Sequence, residues 1–379
     1  MTTRHDARKC SYSAAATAKR HTFSCIGYSL LGYNILRGYP LADDGMDPGF
    51  ASPIFRADYS TNDVTADCRY SQPAGLHVYT DVSCDTAFVS QEIKNKQEFA
   101  DWIANDVQVN ASDWGVQYCA SAAYQQTLDK VEVGDTLLIY SQATCHHQKT
   151  RLNLHSPPPL HDDFIAAVHK LNLAPVSESD VHDFFDTYGT HFVTEMYFGA
   201  RYTAQHMMTY NSYDEISQAN YSVAVQAGFA AQLDHAAGSH LNHEQRQAAL
   251  ELQKRAHTRI HAAGAIPPAS DHGVDWEAAA KKNPMPIRFK LHSIDALFTS
   301  HFMSGADGVH GYSHARKAVL AHKSTYCAGL AERLGVPNNC DVIYSGQSLV
   351  RVMARVCLKS RKPMAMLTFK NIRCVTTMR

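Results

Sequence analysis

What this chain lacks narrows what it can be. No apolar run approaches the ~18–20 residues of a membrane helix; the longest candidate, SLLGYNIL at 29–36, is short and broken by Gly32. Neither sign of charge dominates. Lys+Arg 35 against Asp+Glu 36 leave a net charge of −1, so there is no global pull toward nucleic acid or anionic lipid. The absence of any C-x-x-C pair argues against a compact zinc site. H-E-x-x-H, G-x-S-x-G and the P-loop are also missing, so no hydrolase or nucleotide site announces itself. The N-terminal MTTRHDARKCSYSAAATAKRH carries five Lys and Arg residues against Asp6 alone and has no apolar core of a secretory signal. No solenoid repeat is visible.

What is present suffices for a sizeable core. The 379 residues, 45% of them hydrophobic, allow one large domain or two ordinary ones. The ten cysteines (Cys10, Cys25, Cys68, Cys84, Cys119, Cys145, Cys327, Cys340, Cys357 and Cys374) are widely spaced. Their number leans toward disulfides and an oxidising compartment, for which the N-terminus offers no export signal. Cys327 and Cys340 frame a helix and turn and are the candidate pair.

Taken in order, residues 1–22 read as a flexible tail. Residues 23–55 are apolar and punctuated by glycine and proline, with DDGMDPG as turn chemistry, and suggest one or two strands wrapped by loops. LHVYTDV (76–82) reads as a strand and QEFADWIANDV as a short amphipathic helix. DTLLIYSQATC (135–145) is strand-like, followed by a basic, histidine-rich loop in which Cys145-His146-His147 is a faint metal motif. Helices are expected over 161–171 and 177–188, the second with Ser and Asp caps, and one long helix over 315–334 ending at Gly335. Ile287, Phe289 and Leu291 alternate with Arg288, Lys290 and His292 as a further strand.

Two segments have unusual patterns. Trp114, Val116, Tyr118, Ala120, Ala122 and Tyr124 take one face of a period-2 alternation whose other face carries no charge. Tyr221, Val223, Val225, Ala227, Phe229, Ala231 and Leu233 do the same over thirteen residues. Such lengths suit either a half-buried sheet strand or a tilted membrane β-strand of ~9–11 residues. After a polar tip at 234–245, containing His235, His240 and His243, the return arm 248–260 satisfies both a helical stripe and a strand alternation.

The stretch DFFDTYGTHFVTEMYFGARYTA (183–204) joins a short helix, a glycine turn and a long strand. Tyr188, Gly189, Thr190, His191 and Phe192 match the contiguous part of Y-x6-[FY]-G-T-H-[FY], the signature of the membrane-attack-complex/perforin (MACPF) family, which this stretch resembles. Val181 replaces the leading aromatic, and the usual Gly-Gly is Gly199-Ala200. Upstream, GYNILRGYPLADDGMDPGF resembles the G-Y-D-x-x-x-G-N-P-L…D-P-G-[YF] run of protist perforin-like proteins, with Asn34 and Tyr39 departing from it. Downstream, KKNPMPIRFKL resembles the approach to the family's last core strand.

The resemblance implies an α+β fold: a bent four-stranded antiparallel sheet flanked by two helical clusters able to become β-hairpins. The domain would span 23–334, with a short extension over 335–379. The clusters fall over 107–130 and 216–262, and the alternating faces above become the lipid-facing sides of hairpins. Gly199 and Gly264 would serve the sheet bend, and His191 would hold the helix-to-strand turn rather than act as a base or metal ligand. The implied function is pore formation: membrane binding, ring-shaped homo-oligomerisation and insertion of two hairpins per subunit. The alternative is a non-lytic role in adhesion or signalling; a hydrolase has no visible site. The resemblance implies no cofactor, no metal and no nucleic acid. It implies a secreted or vesicular protein, membrane-associated when active, while the lack of an export signal leaves a cytoplasmic location open. Since only 335–379 follow the core, targeting would come from an accessory protein or from outside this sequence.

Overall fold

Three long strands and a split fourth carry the architecture. In the computed structural model they are β5 (Leu76–Ile93), β7 (Thr136–Leu152), β8 (His191–Thr209) and an edge shared by β9 (His257–Ala263) and β10 (Met285–Ser293). The structure describes residues 21–41, 47–110, 121–132, 136–173, 175–217, 242–266, 273–303, 312–337 and 340. β7 pairs antiparallel with both β5 and β8, and β8 pairs antiparallel with β10 over its first half and β9 over its second. Short β2 (Leu31–Tyr33), β3 (Phe50–Pro53) and β6 (Val107–Asn110) extend this frame to eight strands. A separate two-stranded pair joins β1 (His21–Thr22) to β4 (Tyr70–Ser71).

β7 continues past Cys145, where the sequence suggests a loop. Polar His146, Lys149 and Arg151 alternate with Gln148, Thr150 and Leu152, and the second set is buried. One covered face is enough to keep a charged segment in a sheet.

Helices close both faces of the sheet at one end. On one side α1 (Lys96–Asp106) and α2 (Ala122–Glu132) bring Phe99, Trp102, Tyr124 and Leu128 onto Leu138, Tyr140 and Met207. The rings of Trp102 and Tyr140 stack with centroids 4.2 Å apart. On the other side α5 (Tyr210–Ser217) and α6 (His243–Arg255) bring Tyr213, Ile216 and Leu252 onto Leu137, Ile139 and Met208. Neighbours along β7 point to opposite faces. The sheet is therefore sandwiched.

At the other end, α3 (Asp162–Asn172), α4 (Glu178–Tyr188), α8 (Tyr312–Ala321) and α9 (Lys323–Leu334) build the main core around Phe164, Phe184, Phe185 and Tyr326. The single helix expected over 315–334 is two helices broken near His322, which caps α9. Cys327 and Cys340 are joined by a disulfide. α4 starts with a capping box: Ser177 Oγ accepts from Asp180 N at 3.2 Å, while Asp180 accepts from Ser177 N at 3.2 Å. Ser177→Ala should cost about 1 kcal/mol in urea unfolding. No measurable change would mean that the box does not anchor α4.

The sheet bends at Gly199. There β8 faces His146 and Met285, and both neighbouring strands carry an irregularity, between His146 and Gln148 and between Pro286 and Arg288. Extra residues on both flanks of one strand increase twist and turn the sheet. α7 (Gly273–Lys282) lies against the bend, with Trp276 fully buried on Ala143, Cys145 and Ala200. Its indole nitrogen donates to the Ala265 carbonyl at 2.9 Å.

Candidate functional site

The residues of the signature form a knot rather than a cavity. Tyr188 ends α4, and Gly189 turns the chain with φ 80°, its N–H donating to the Phe185 carbonyl at 2.9 Å. A Cβ at Gly189 would lie 2.5 Å from the Tyr33 carbonyl carbon. Thr190 N donates to the Tyr33 carbonyl at 3.0 Å, Thr190 Oγ1 accepts from Ile35 N at 3.0 Å, and Ile294 N donates to the Thr190 carbonyl at 2.9 Å. One residue thus ties α4, β2 and the end of β10 together.

His191 follows with its ring 0% exposed and Nδ1 2.8 Å from Thr190 Oγ1. Burial, with Lys323 nearby and Asp295 opposing, lowers its pKa to about 3. The ring is neutral and sealed from solvent, which suits a structural part and not a proton-transfer group. Phe192 packs on His292 and Phe55.

Beneath this knot lies a buried ion pair that the sequence did not advertise. Lys323, also 0% exposed, places Nζ 3.3 Å from Asp295, which further holds Ser293 Oγ and has Arg316 at 3.6 Å. Asp186 is a second hub. It accepts from Arg37 at 2.8 Å, Tyr326 at 2.7 Å and Arg333 at 3.0 Å, pinning α4 to α9.

The two helical layers share a topological property. β5 ends with Ile93 opposite Leu138, β7 starts with Thr136 opposite Thr209, and β9 starts with His257 opposite Met207. The connection 94–135 between β5 and β7 and the connection 210–256 between β8 and β9 therefore leave the same end of the sheet. Each joins antiparallel neighbours. The first also contributes β6, which pairs in parallel with β10 from Phe289↔Val107 to His292↔Asn110 and covers its edge. The far edge, β5, pairs only with β7 among the described residues and leaves Val82 and Val89 exposed.

Of the proposed first-hairpin face, Ala122 and Tyr124 lie in helix α2, not in a strand; Tyr124 is buried, its ring 5.4 Å from Phe99. In the helix Tyr124 joins the buried stripe formed with Leu128 and Val131, so burial on the sheet overrides the alternating pattern there, while Ala122 is exposed at the start of the helix. Trp114, Val116, Tyr118 and Ala120 lie outside the described residues, as do Tyr221, Val223, Val225, Ala227, Phe229, Ala231 and Leu233. The double-period segment 248–260 divides: residues through Arg255 are helical in α6, and His257 begins β9.

Gly199 and Gly264 meet at the bend. A Cβ on Gly264 would lie 2.6 Å from the Gly199 carbonyl oxygen, and one on Gly199 would lie 1.9 Å from the Cys145 carbonyl oxygen. Arg201 is buried on the same bend, where its guanidinium donates to the carbonyls of Ile287 and Pro40. Cys145 is bonded to Cys84 on β5 rather than poised beside His146 and His147 for a metal. Among the described residues no group of three His, Cys, Asp or Glu could hold a metal ion, and no helix is long and apolar enough to cross a membrane.

A bent antiparallel sheet with two helical connections at one end, a glycine at its bend and a Tyr-Gly-Thr-His-Phe knot at its base is a specific combination. The MAC/Perforin domain matches residues 23–322. This chain belongs to that family. GNIP1Aa from Chromobacterium piscinae has a similar structure, with a TM-score of 0.53 at 15% identity; the match covers 81% of this chain and 56% of that one. Astrotactin-2, a vertebrate-specific, perforin-like membrane protein involved in neuronal development, gives a TM-score of 0.42 at 13% identity, over 82% of this chain and 47% of that one. This MAC/Perforin chain thus spans about half the length of both. At 15% identity, the likeness to GNIP1Aa speaks to the fold. No curated protein matches the sequence. Members of the family are not enzymes; they bind lipid membranes and oligomerise, and are membrane-associated or secreted.

Proposed function

We propose that this chain is a pore-forming protein whose 23–334 domain oligomerises edge to edge on a membrane and inserts two β-hairpins per subunit. One observation carries the proposal: both connections leave the same end of the sheet between antiparallel neighbours. Extending each as a hairpin simply lengthens β5, β7, β8 and β9 beyond that end. Strand backbones in lipid need a closed barrel, so insertion requires many copies. The exposed β5 edge is a template for pairing, and lifting the first connection removes β6 from the β10 edge. The uncharged alternation over 114–124 and 221–233 favours lipid contact over a purely adhesive role. In this proposal the protein acts outside the cytoplasm or in a vesicle, with targeting aided by an accessory protein.

The test is dye release from liposomes of varied composition, with rings sought by electron microscopy. A disulfide tying α6 to β7, through Leu252→Cys and Leu137→Cys, should abolish leakage, and reductant should restore it. Reductant on the unaltered chain is the control for its native disulfides. Undiminished leakage from the locked chain refutes the hairpin assignment; no leakage and no rings from the unlocked chain refutes pore formation.

A further inference from the structure

We propose that the second connection is an acid-released latch, in which protonation of His206 favours lifting of α5 and α6 from the sheet. The inference rests on the hairpin reading for its purpose, but the latch can be measured without any membrane.

The geometry sets His206 apart. It lies on β8 directly opposite Ile139, and cross-strand partners share a face. Ile139 belongs to the small core closed by Tyr213, Ile216 and Leu252, so His206 sits under α5 and α6 and is 0% exposed. Nδ1 lies 2.8 Å from Thr258 Oγ1, at the second residue of β9, just after α6 ends. The ring therefore occupies the hinge between the layer that lifts and the strand that stays.

Among the described residues this layer is held by the buried residues of its core, by Tyr213 donating to Glu92, by the Tyr210 hydroxyl donating to the Lys94 carbonyl at 3.4 Å and by Ser212 N donating to Thr209 Oγ1 of β8 at 3.3 Å. Arg255 pairs with Glu215 and Glu251, which ties the helices to each other rather than to the sheet.

Burial alone lowers the His206 pKa to about 4; no charged neighbour contributes. The charged groups of the surrounding elements are accounted for elsewhere. Burial pushes Glu92 upward, but Tyr213 and Lys94 outweigh it and hold the carboxyl below its usual range. On α6, Lys254 and then Arg255 lower Glu251. On α5, Asp214 and Glu215 are the acids; on β9, Arg259 lies opposite Gln205. His257 and His261 face Met207 and Thr203, one and three residues from His206 and so on the other side of β8. His243 starts α6. His191 is equally buried but lies in the signature knot, under neither connection.

The sign follows from linkage. The closed state holds His206 neutral, whereas a lifted layer exposes it at its ordinary 6.5, so opening takes up a proton. Closure is fully favoured above that value and is lost progressively as pH falls toward about 4. Between pH 7.5 and 5.5 the opening constant should rise about tenfold.

Hydrogen exchange on the full chain, without lipid and corrected for the intrinsic rate at each pH, reads this directly. Amides of α5 and α6 should open about tenfold more often at pH 5.5 than at 7.5. In His206→Gln the rise should vanish. An equal rise in that variant, or none in the unaltered chain, overturns the latch. Should the variant fold poorly, the His206 ring is followed by NMR in the unaltered chain; a titration midpoint near 6.5 overturns it as well. If exchange behaves as stated and liposomes leak at no pH, the pore reading fails while the latch stands.

Discussion

Gly199→Ala should cost several kcal/mol, on the order of 3–5, and should leave the chain partly unfolded at ambient temperature. The added Cβ would sit 1.9 Å from the Cys145 carbonyl oxygen, a main-chain atom fixed in the β7–β8 ladder. It cannot move aside as the end of a long side chain could. The bend also brings the Gly264 backbone, with φ 76°, against the Gly199 carbonyl, so relief on one side creates crowding on the other. Gly27→Ala is the matching control, because nothing lies within 4 Å of its added methyl. Urea unfolding of the two variants should separate by most of that energy. A Gly199→Ala chain within about 1 kcal/mol of the control would mean that the bend is softer than its packing indicates.

Asp295→Asn should be comparably severe, at about 3–5 kcal/mol, because it strands the fully buried Lys323 without its carboxylate. Adding Lys323→Met should recover a large part of the loss, since the uncompensated charge is then gone. A double variant as unstable as Asp295→Asn alone would show that Asp295 matters through Ser293 and Arg316 instead. Burial pushes Asp295 up, but Lys323, Ser293 and Arg316 hold it below the ordinary carboxylate range. A depressed carboxyl stabilises above its unfolded pKa and loses that contribution as pH falls through the folded one. His191, lowered to about 3, acts in the same direction from 6.5 downward. Unfolding of the base therefore takes up a proton at His191 over the same window as His206 in a lifted layer, and the His206→Gln variant separates the two.

Much of the fold was legible because local and tertiary signals agree. Ser177 and Asp180 mark the start of α4, Gly189 its end, and the alternation after His191 the course of β8. β7 reads short in sequence because His146, Lys149 and Arg151 face outward and resemble a loop when taken without their buried alternates. The segment 248–260 was ambiguous for a different reason. It meets both periods, and only the place where it leaves the sheet decides that helix yields to strand near Ala256. The Cys84–Cys145 bond and the Asp295–Lys323 pair depend on register between distant strands and helices, for which single-sequence spacing carries no signal. Nothing near His206 in sequence reveals that α5 and α6 cover it.

The bend at Gly199 also bears on which strands can lie along this molecule. The β8 edge is followed by β10 on one side of the turn and by β9 on the other, with α7 occupying the interval. A straight foreign strand laid along the outer edge could track one arm or the other, never both, and would forfeit half of its backbone bonds. Another molecule of this chain carries a glycine at the same place and the same angle. In the edge-to-edge assembly proposed above, shape would act as a test of kinship: a strand that turns where this one turns could pair along both arms, and an ordinary flat β-strand could not follow the corner.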